Sequence, residues 1–176
     1  MQDALTSIPT IETERLVLRA PRPSDAGLIA HYAGDVRVAR MTASIPHPYP
    51  REAADAFVRR ALECPNGKTT WTIEGHGLSE VLGLLTLTPV GERRCEIGFW
   101  IAPAFWNGGL ASEAVTGLLR RNPLGCEVMF ATVFQDNPAS ARVLTGAGFA
   151  YIGDAEANCV ARGGRVDTWT YTRRMT

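Results

Sequence analysis

The sequence predicts an α/β protein: a mixed sheet of about seven strands with helices on both of its faces. Three observations carry this. Segments that alternate every two residues and segments that repeat every three to four interleave along the chain as β-α-α-β-β-β-α-β-α-β-β. Near the middle, one pair of strands is joined through a helix, the connection that parallel neighbours require. The second strand of that pair, Glu127–Phe134 (EVMFATVF), is apolar almost throughout, as a central strand covered on both faces is. At 176 residues, the chain fits a single domain over 1–176 with a core that needs neither disulfide nor metal.

Each element has its own signal. After a short tail, Glu14–Ala20 (ERLVLRA) alternates apolar and charged residues as a half-buried strand does. Pro23-Ser24-Asp25 opens a helix running to about Gly34, with Leu28, Ile29 and Tyr32 on one stripe. Three prolines in Thr42–Pro50 make that segment an irregular loop. Arg51–Glu63 is an amphipathic helix carrying Ala54, Phe57, Val58, Ala61 and Leu62. Strands follow at Thr69–Glu74 and Glu80–Thr88 around a Gly75-His76-Gly77 turn. In the next strand, Cys95–Ala102, alternation sets Ile97, Phe99 and Ile101 on one face and Glu96, Gly98 and Trp100 on the other. Gly109–Arg121 is a helix, and Asn137–Ala147 a second one, with Asn137 as cap, Pro138 in first position and Gly148 past its end. Strands near Tyr151–Val160 and Val166–Arg173 close the chain.

Composition narrows the function classes. Apolar content of 45% and charged content of 20% belong to a folded chain rather than a disordered one. Eighteen basic residues balance eighteen acidic ones, so no long-range field draws in nucleic acid. Lys68 is the sole lysine, which reads as compositional bias toward arginine. Cys64, Cys95, Cys126 and Cys159 have no zinc-like pairing and are expected to be reduced, mostly buried thiols. His31, His47 and His76 lack metal-ligand spacing, and no metal is expected. The N-terminus has no leader-like apolar segment and no run is long enough to span a bilayer, so a cytoplasmic protein without membrane association is expected.

The stretch Glu96–Ala114 (EIGFWIAPAFWNGGLASEA) is the most informative. A strand runs into a Gly-rich turn, and the turn runs straight into a helix whose first N–H groups and dipole favour an anion. Gly108 and Gly109 allow close backbone approach, and Ala111 is small. The turn has no lysine, as an NTPase loop needs, and lacks the three spaced glycines of a dinucleotide fingerprint.

This stretch resembles the signature of the GNAT superfamily of acetyltransferases, in its ribosomal-protein N-terminal (alanine/serine) acetyltransferase branch. The residues that carry the likeness are Glu96, Ile97, Gly98, Phe99 and Trp100, then Trp106, Gly109, Ala111, Ser112, Glu113 and Ala114. A second match is Asp136-Asn137-Pro138-Ala139-Ser140, ending at Gly148-Phe149, and the opening ERLVLRAPRPSDA resembles the branch's first strand and helix start. Two departures stand out. The helix after the turn ends early, at Arg120–Pro123, and Leu144 occupies the place of the superfamily's general-acid tyrosine.

The resemblance implies a mostly antiparallel sheet splayed at a central parallel pair, with acetyl-CoA as co-substrate in the gap. By that likeness Phe99, Trp100 and Ile101 line the pantetheine arm, and the loop Trp106, Asn107, Gly108, Gly109, Leu110, Ala111 and Ser112 holds the pyrophosphate. Asn137 is expected to bond the pantetheine amides. The amine acceptor, a peptide N-terminus or a small molecule, is expected to attack the thioester directly. Glu96 is the candidate to draw off its proton, and Ser140 to protonate the departing thiolate. The plain alternatives are a solvent-facing Glu96 and a Ser140 bonded to its own backbone. His47 and Tyr49 are placed beside an acceptor pocket, and the protein is expected to be a monomer or homodimer. A non-catalytic acyl-CoA-binding or sensory domain stays open as a second reading. A nucleotide phosphotransferase is disfavoured by the missing lysine.

Overall fold

The computed structural model describes residues 7–176; the first six, part of the tail read as lacking a leader, lie outside the described residues. The strands are β1 (Ile11–Glu12), β2 (Leu16–Arg19), β3 (Thr69–Gly75), β4 (Val81–Gly91), β5 (Arg94–Ile101), β6 (Val128–Phe134), β7 (Ala150–Cys159) and β8 (Gly164–Arg174). They form one sheet in the order β1-β2-β3-β4-β5-β6-β8-β7. Every neighbouring pair is antiparallel except β5–β6, which the intervening helix makes parallel. The eighth strand is β1, two residues inside the segment read as a tail, paired to β2 through Ile11↔Leu18.

Helices α1 (Ala26–Ala33), α2 (Val36–Ala39) and α3 (Ala53–Leu62) precede β3, α4 (Leu110–Arg121) joins β5 to β6, and α5 (Pro138–Gly146) follows β6. The period-two pattern of β4 and β5 sorts their side chains between two cores. Leu85, Leu87, Ile97 and Ile101 pack with Val115, Leu118 and Leu119 of α4 on one face. Leu84, partly covered by Trp100, packs with Ile29 of α1 and Val58 of α3 on the other. Each fully buried aliphatic side chain contributes about 1.5–3 kcal/mol. The α4 helix seats closely on the β1–β2 turn, where a Cβ on Gly117 would lie 2.6 Å from Thr13 Cγ2. It stops early because Asn122 turns left-handed (φ 41°). The Asn122 side chain then bonds the Cys126 N–H and carbonyl at 3.0 and 2.9 Å, and Pro123 bars continuation.

Two expectations are corrected. Cys95 and Cys126 form a disulfide rather than free thiols; only Cys64 and Cys159 are free among the described residues. They are 31 residues apart in sequence, but β5 and β6 are neighbours, so Cys95 and the residue entering β6 come within 6.2 Å at Cα. The other concerns Glu127–Phe134, read as covered on both faces. Met129, Ala131 and Val133 are buried, whereas Phe130 is half-buried and Thr132 exposed on the opposite face. That face borders a cavity instead of a helix.

Candidate active site

The cavity begins where two strands part. β5 and β6 are in register at only three positions, Arg94↔Val128, Cys95↔Met129 and Glu96↔Phe130. Beyond Glu96, β5 stays paired to β4 as far as Gly83↔Ile101, and β6 stays paired to β8 as far as Phe134↔Thr168. Their facing edges diverge, leaving backbone groups of Ile97–Trp100 open to an extended ligand.

At the far end of β5 the chain enters the Gly-rich turn. Asn107 (φ 64°) and Gly109 (φ 75°) are both left-handed, which asparagine tolerates and glycine adopts without strain. Gly109 caps α4 without any side-chain hydrogen bond, so the first-turn N–H groups of the helix have no side chain on them. Trp106, Asn107, Gly108, Gly109 and Ser112 are exposed, and Leu110 and Ala111 half-buried. Trp106 is a strut: its indole N–H donates to the Ile101 carbonyl at 2.7 Å, fastening the turn to the strand and occupying that carbonyl. The turn itself has no cation, but the fold brings two beside it. Arg37 lies over the Trp106 ring, 5.7 Å from its centroid. Arg15, from the β1–β2 turn, donates to the Gly108 carbonyl at 2.9 Å and to Glu113 at 3.2 Å. The arginine anchor was missed in sequence because Arg15 precedes the loop by more than ninety residues.

On the other side of the gap, α5 starts with Pro138 in its first turn, as read. Asn137 caps it, its Oδ1 accepting from the Ser140 N–H at 3.4 Å while its Nδ2 donates to Ser140 Oγ at 3.0 Å. Both ends of the amide are thus engaged at Ser140, in competition with the cofactor contact expected of Asn137. Ser140 does not bond its own backbone, unlike Thr145 nearby, which donates to the Ala141 carbonyl at 2.9 Å. With Asn137 donating to it, the half-buried Ser140 hydroxyl keeps its own proton available.

Glu96, Gly98 and Trp100 face a cavity of about 470 Å³ between the sheet, α1, α3 and the 42–49 loop. Among the described residues, the half-buried Glu96 has neither ion pair nor hydrogen bond. The proline-rich loop forms one wall, with Tyr49 on it and His47 off it; burial raises the Tyr49 phenol above its ordinary pKa. The start of the loop is pinned to the turn between β7 and β8: Arg162 donates to the Arg40 carbonyl at 2.8 Å, and the Val160 N–H to the Ala43 carbonyl at 3.0 Å. Arg162 also pairs with Asp136 at 2.8 Å, holding that carboxyl below the usual carboxylate range. Lys68 and Thr168 reach the same cavity, and neither stood out as a site residue in sequence. The isolation of Lys68 among seventeen arginines was the available signal.

A sheet splayed at one parallel pair, with a glycine-capped helix at the strand's end, defines an acyltransferase-type architecture, and the comparisons agree. The acetyltransferase (GNAT) domain family matches residues 15–150, and the chain belongs to that family. It is 30% identical over 170 residues to an uncharacterized N-acetyltransferase of Bacillus subtilis (strain 168), YoaA, covering 93% of this chain and 96% of that one. Its fold matches a GNAT-family acetyltransferase from Bacillus anthracis with a TM-score of 0.83 at 20% identity, over 95% of this chain and 99% of that one. The ribosomal L7/L12 α-N-protein acetyltransferase RimL, solved with coenzyme A, matches with a TM-score of 0.83 at 17% identity, over 95% and 98%.

Proposed function

We propose that this N-acetyltransferase moves the acetyl group of acetyl-CoA directly onto a primary amine in a ternary complex. The observation that carries the reading is continuity along β5. One strand offers Glu96 to the cavity, opens its edge beyond Glu96, and ends in the turn before α4. The pyrophosphate sits on the N–H groups of Asn107–Ser112, and the pantetheine arm runs back along Phe99–Ile101 over Trp100. The thioester then lies level with Ile97 and Gly98, within reach of an amine in the cavity.

Each group has one task. Glu96 accepts a proton from the attacking ammonium, directly or through one water, and the free amine adds to the thioester carbonyl. The oxyanion is held by an N–H on the open edge of β5, and such donors are worth several kcal/mol in the transition state. The carbon–sulfur bond breaks, the acetyl group stays on nitrogen, the nitrogen releases its remaining extra proton to solvent, and the thiolate takes the Ser140 proton. Asn137, donating to Ser140 Oγ, aims that proton and stabilises the resulting alkoxide until solvent restores it.

The test is thiol release from acetyl-CoA across N-terminal peptides and small amines, with Glu96→Ala and Ser140→Ala in parallel. Turnover lost in the variants, with acetyl-CoA still bound, is the expected result. Binding without turnover on any amine would instead favour a non-catalytic acyl-CoA-binding domain.

A further inference from the structure

Resting on the acetyltransferase reading, we propose that the acceptor is an amphoteric small molecule, an amino carboxylate whose amine meets Glu96 and whose carboxylate meets Lys68. Both charged side chains lie on the wall of the 470 Å³ cavity. A third, Glu156, is already paired with Arg165 at 3.1 Å. Lys68 is the one cation on this wall among the described residues and the one lysine of the chain. Neither Lys68 nor Glu96 has an ion-pair partner among the described residues, and they do not pair with each other.

Their placement is fixed by register. Glu96 on β5 opposes Thr88 on β4, and Thr69 on β3 opposes Leu87, so Lys68 stands one step beyond, level with Thr88. Lys68, just ahead of β3, thus lies in a row with Thr88 on β4 and Glu96 on β5. Two strand spacings, about 9.5 Å, separate the backbones of the outer pair. A carboxylate and an ammonium facing across a gap are complementary to a ligand with an ammonium and a carboxylate a few bonds apart. A half-buried ammonium without a counter-ion is also a site that gains by taking one. The row sits at the closed end of the β5–β6 gap, where the thioester is placed, so the amine bound there is in position to react.

The opposite end of the cavity carries an independent sign of a ligand. Thr168 is 0% exposed and on the cavity wall, and its Oγ1 has no hydrogen-bond partner. Thr168 opposes Phe134 on β6, whereas Glu96 is level with Phe130, which sets the hydroxyl about 13 Å further up the sheet. On β6, Thr132 and Phe134 line the way between. An acceptor side chain that extends this way runs past Phe134 toward Thr168.

Matched acceptors test this. Amino acids and their carboxamides, which differ only in the anion, are compared by thiol release and by calorimetric binding to the CoA-saturated protein. The wild type is expected to favour carboxylates at least tenfold in kcat/KM, with Lys68→Gln bringing the ratio near one and Lys68→Arg restoring part of it. Equal use of carboxamides, a ratio unmoved by Lys68→Gln, turnover confined to N-terminal peptides, or no binding of any amino carboxylate would each overturn the assignment. Acetyl-CoA affinity is measured in the same samples. If it persists, only the acceptor class falls; if it is absent, the acetyltransferase reading falls as well.

Discussion

Thr72 on β3 and Thr168 on β8 are both 0% exposed, yet one hydroxyl donates to Asp25 at 3.3 Å and the other has no partner. The contrast extends to the charges around them. Near Thr72, the buried Arg19 forks onto both Asp25 oxygens at 2.8 Å and bonds Glu74, while Asp25 also takes the Arg22 N–H at 2.8 Å. Burial would raise the Asp25 carboxyl, but the bonds from Arg19 and Arg22 outweigh it and hold the pKa below its ordinary value. Near the cavity, Glu96 and Lys68 have no such partners. Buried polar groups are normally satisfied. A closed network therefore marks a structural element, and an open set facing one cavity marks a site whose partners arrive from outside.

The sharpest break in this comparison is Glu96. Replacing it with Gln should lower kcat about 10²- to 10⁴-fold while leaving acetyl-CoA affinity and unfolding nearly unchanged, as kinetics and calorimetry would report. A loss of stability instead would place Glu96 with the closed network. Asp25→Asn belongs at the other pole. It leaves Glu74 as the one carboxylate on the buried Arg19 guanidinium, and denaturant unfolding should show a loss of about 1–3 kcal/mol. Because the folded pKa of Asp25 is lowered, its contribution is full above the ordinary carboxylate range and lost as pH falls through the depressed value. In pH-dependent unfolding, the wild type should therefore lose more stability in acid than Asp25→Asn does.

Arg15 lies between the two poles, bonded to Gly108 and Glu113 but half exposed beside the turn. Arg15→Ala should raise the dissociation constant for CoA about five- to tenfold, measured by calorimetry, with Arg15→Lys recovering part. The smallest effects carry opposite signs. Thr168→Val removes an unpaired buried hydroxyl and should raise ligand-free stability by about 1 kcal/mol, while Thr72→Val removes a bonded one and should lower it by a similar amount. Equal signs in thermal unfolding would erase the distinction.

Much of the fold was legible because its signals are local. Alternation in Cys95–Ala102 assigned Glu96 and Ile97 to opposite faces, and Asn137, Pro138 and Gly148 marked the two ends of a helix through conformations or caps that few residues provide. The turn and its helix could be read for the same reason. The two-residue β1 carries too little pattern to be seen, and α2, four residues capped by Asp35, is hidden in the same way. The Cys95–Cys126 bond left no trace in spacing, since it depends on β5 and β6 being neighbours.

The sequence by itself determined the strand–turn–helix unit around Gly109, the outward face of Glu96 and the Asn137 cap with Ser140 one turn in, because each depends on dihedral preference and periodicity over a few residues. Tertiary structure alone decided that β5 and β6 part after three paired positions, that Arg15 reaches the turn, and that Lys68 and Thr168 share a cavity with Glu96. Those are relations between segments tens of residues apart. They are fixed by which strands pair and in what register, and register is set only when the whole sheet closes over its two cores.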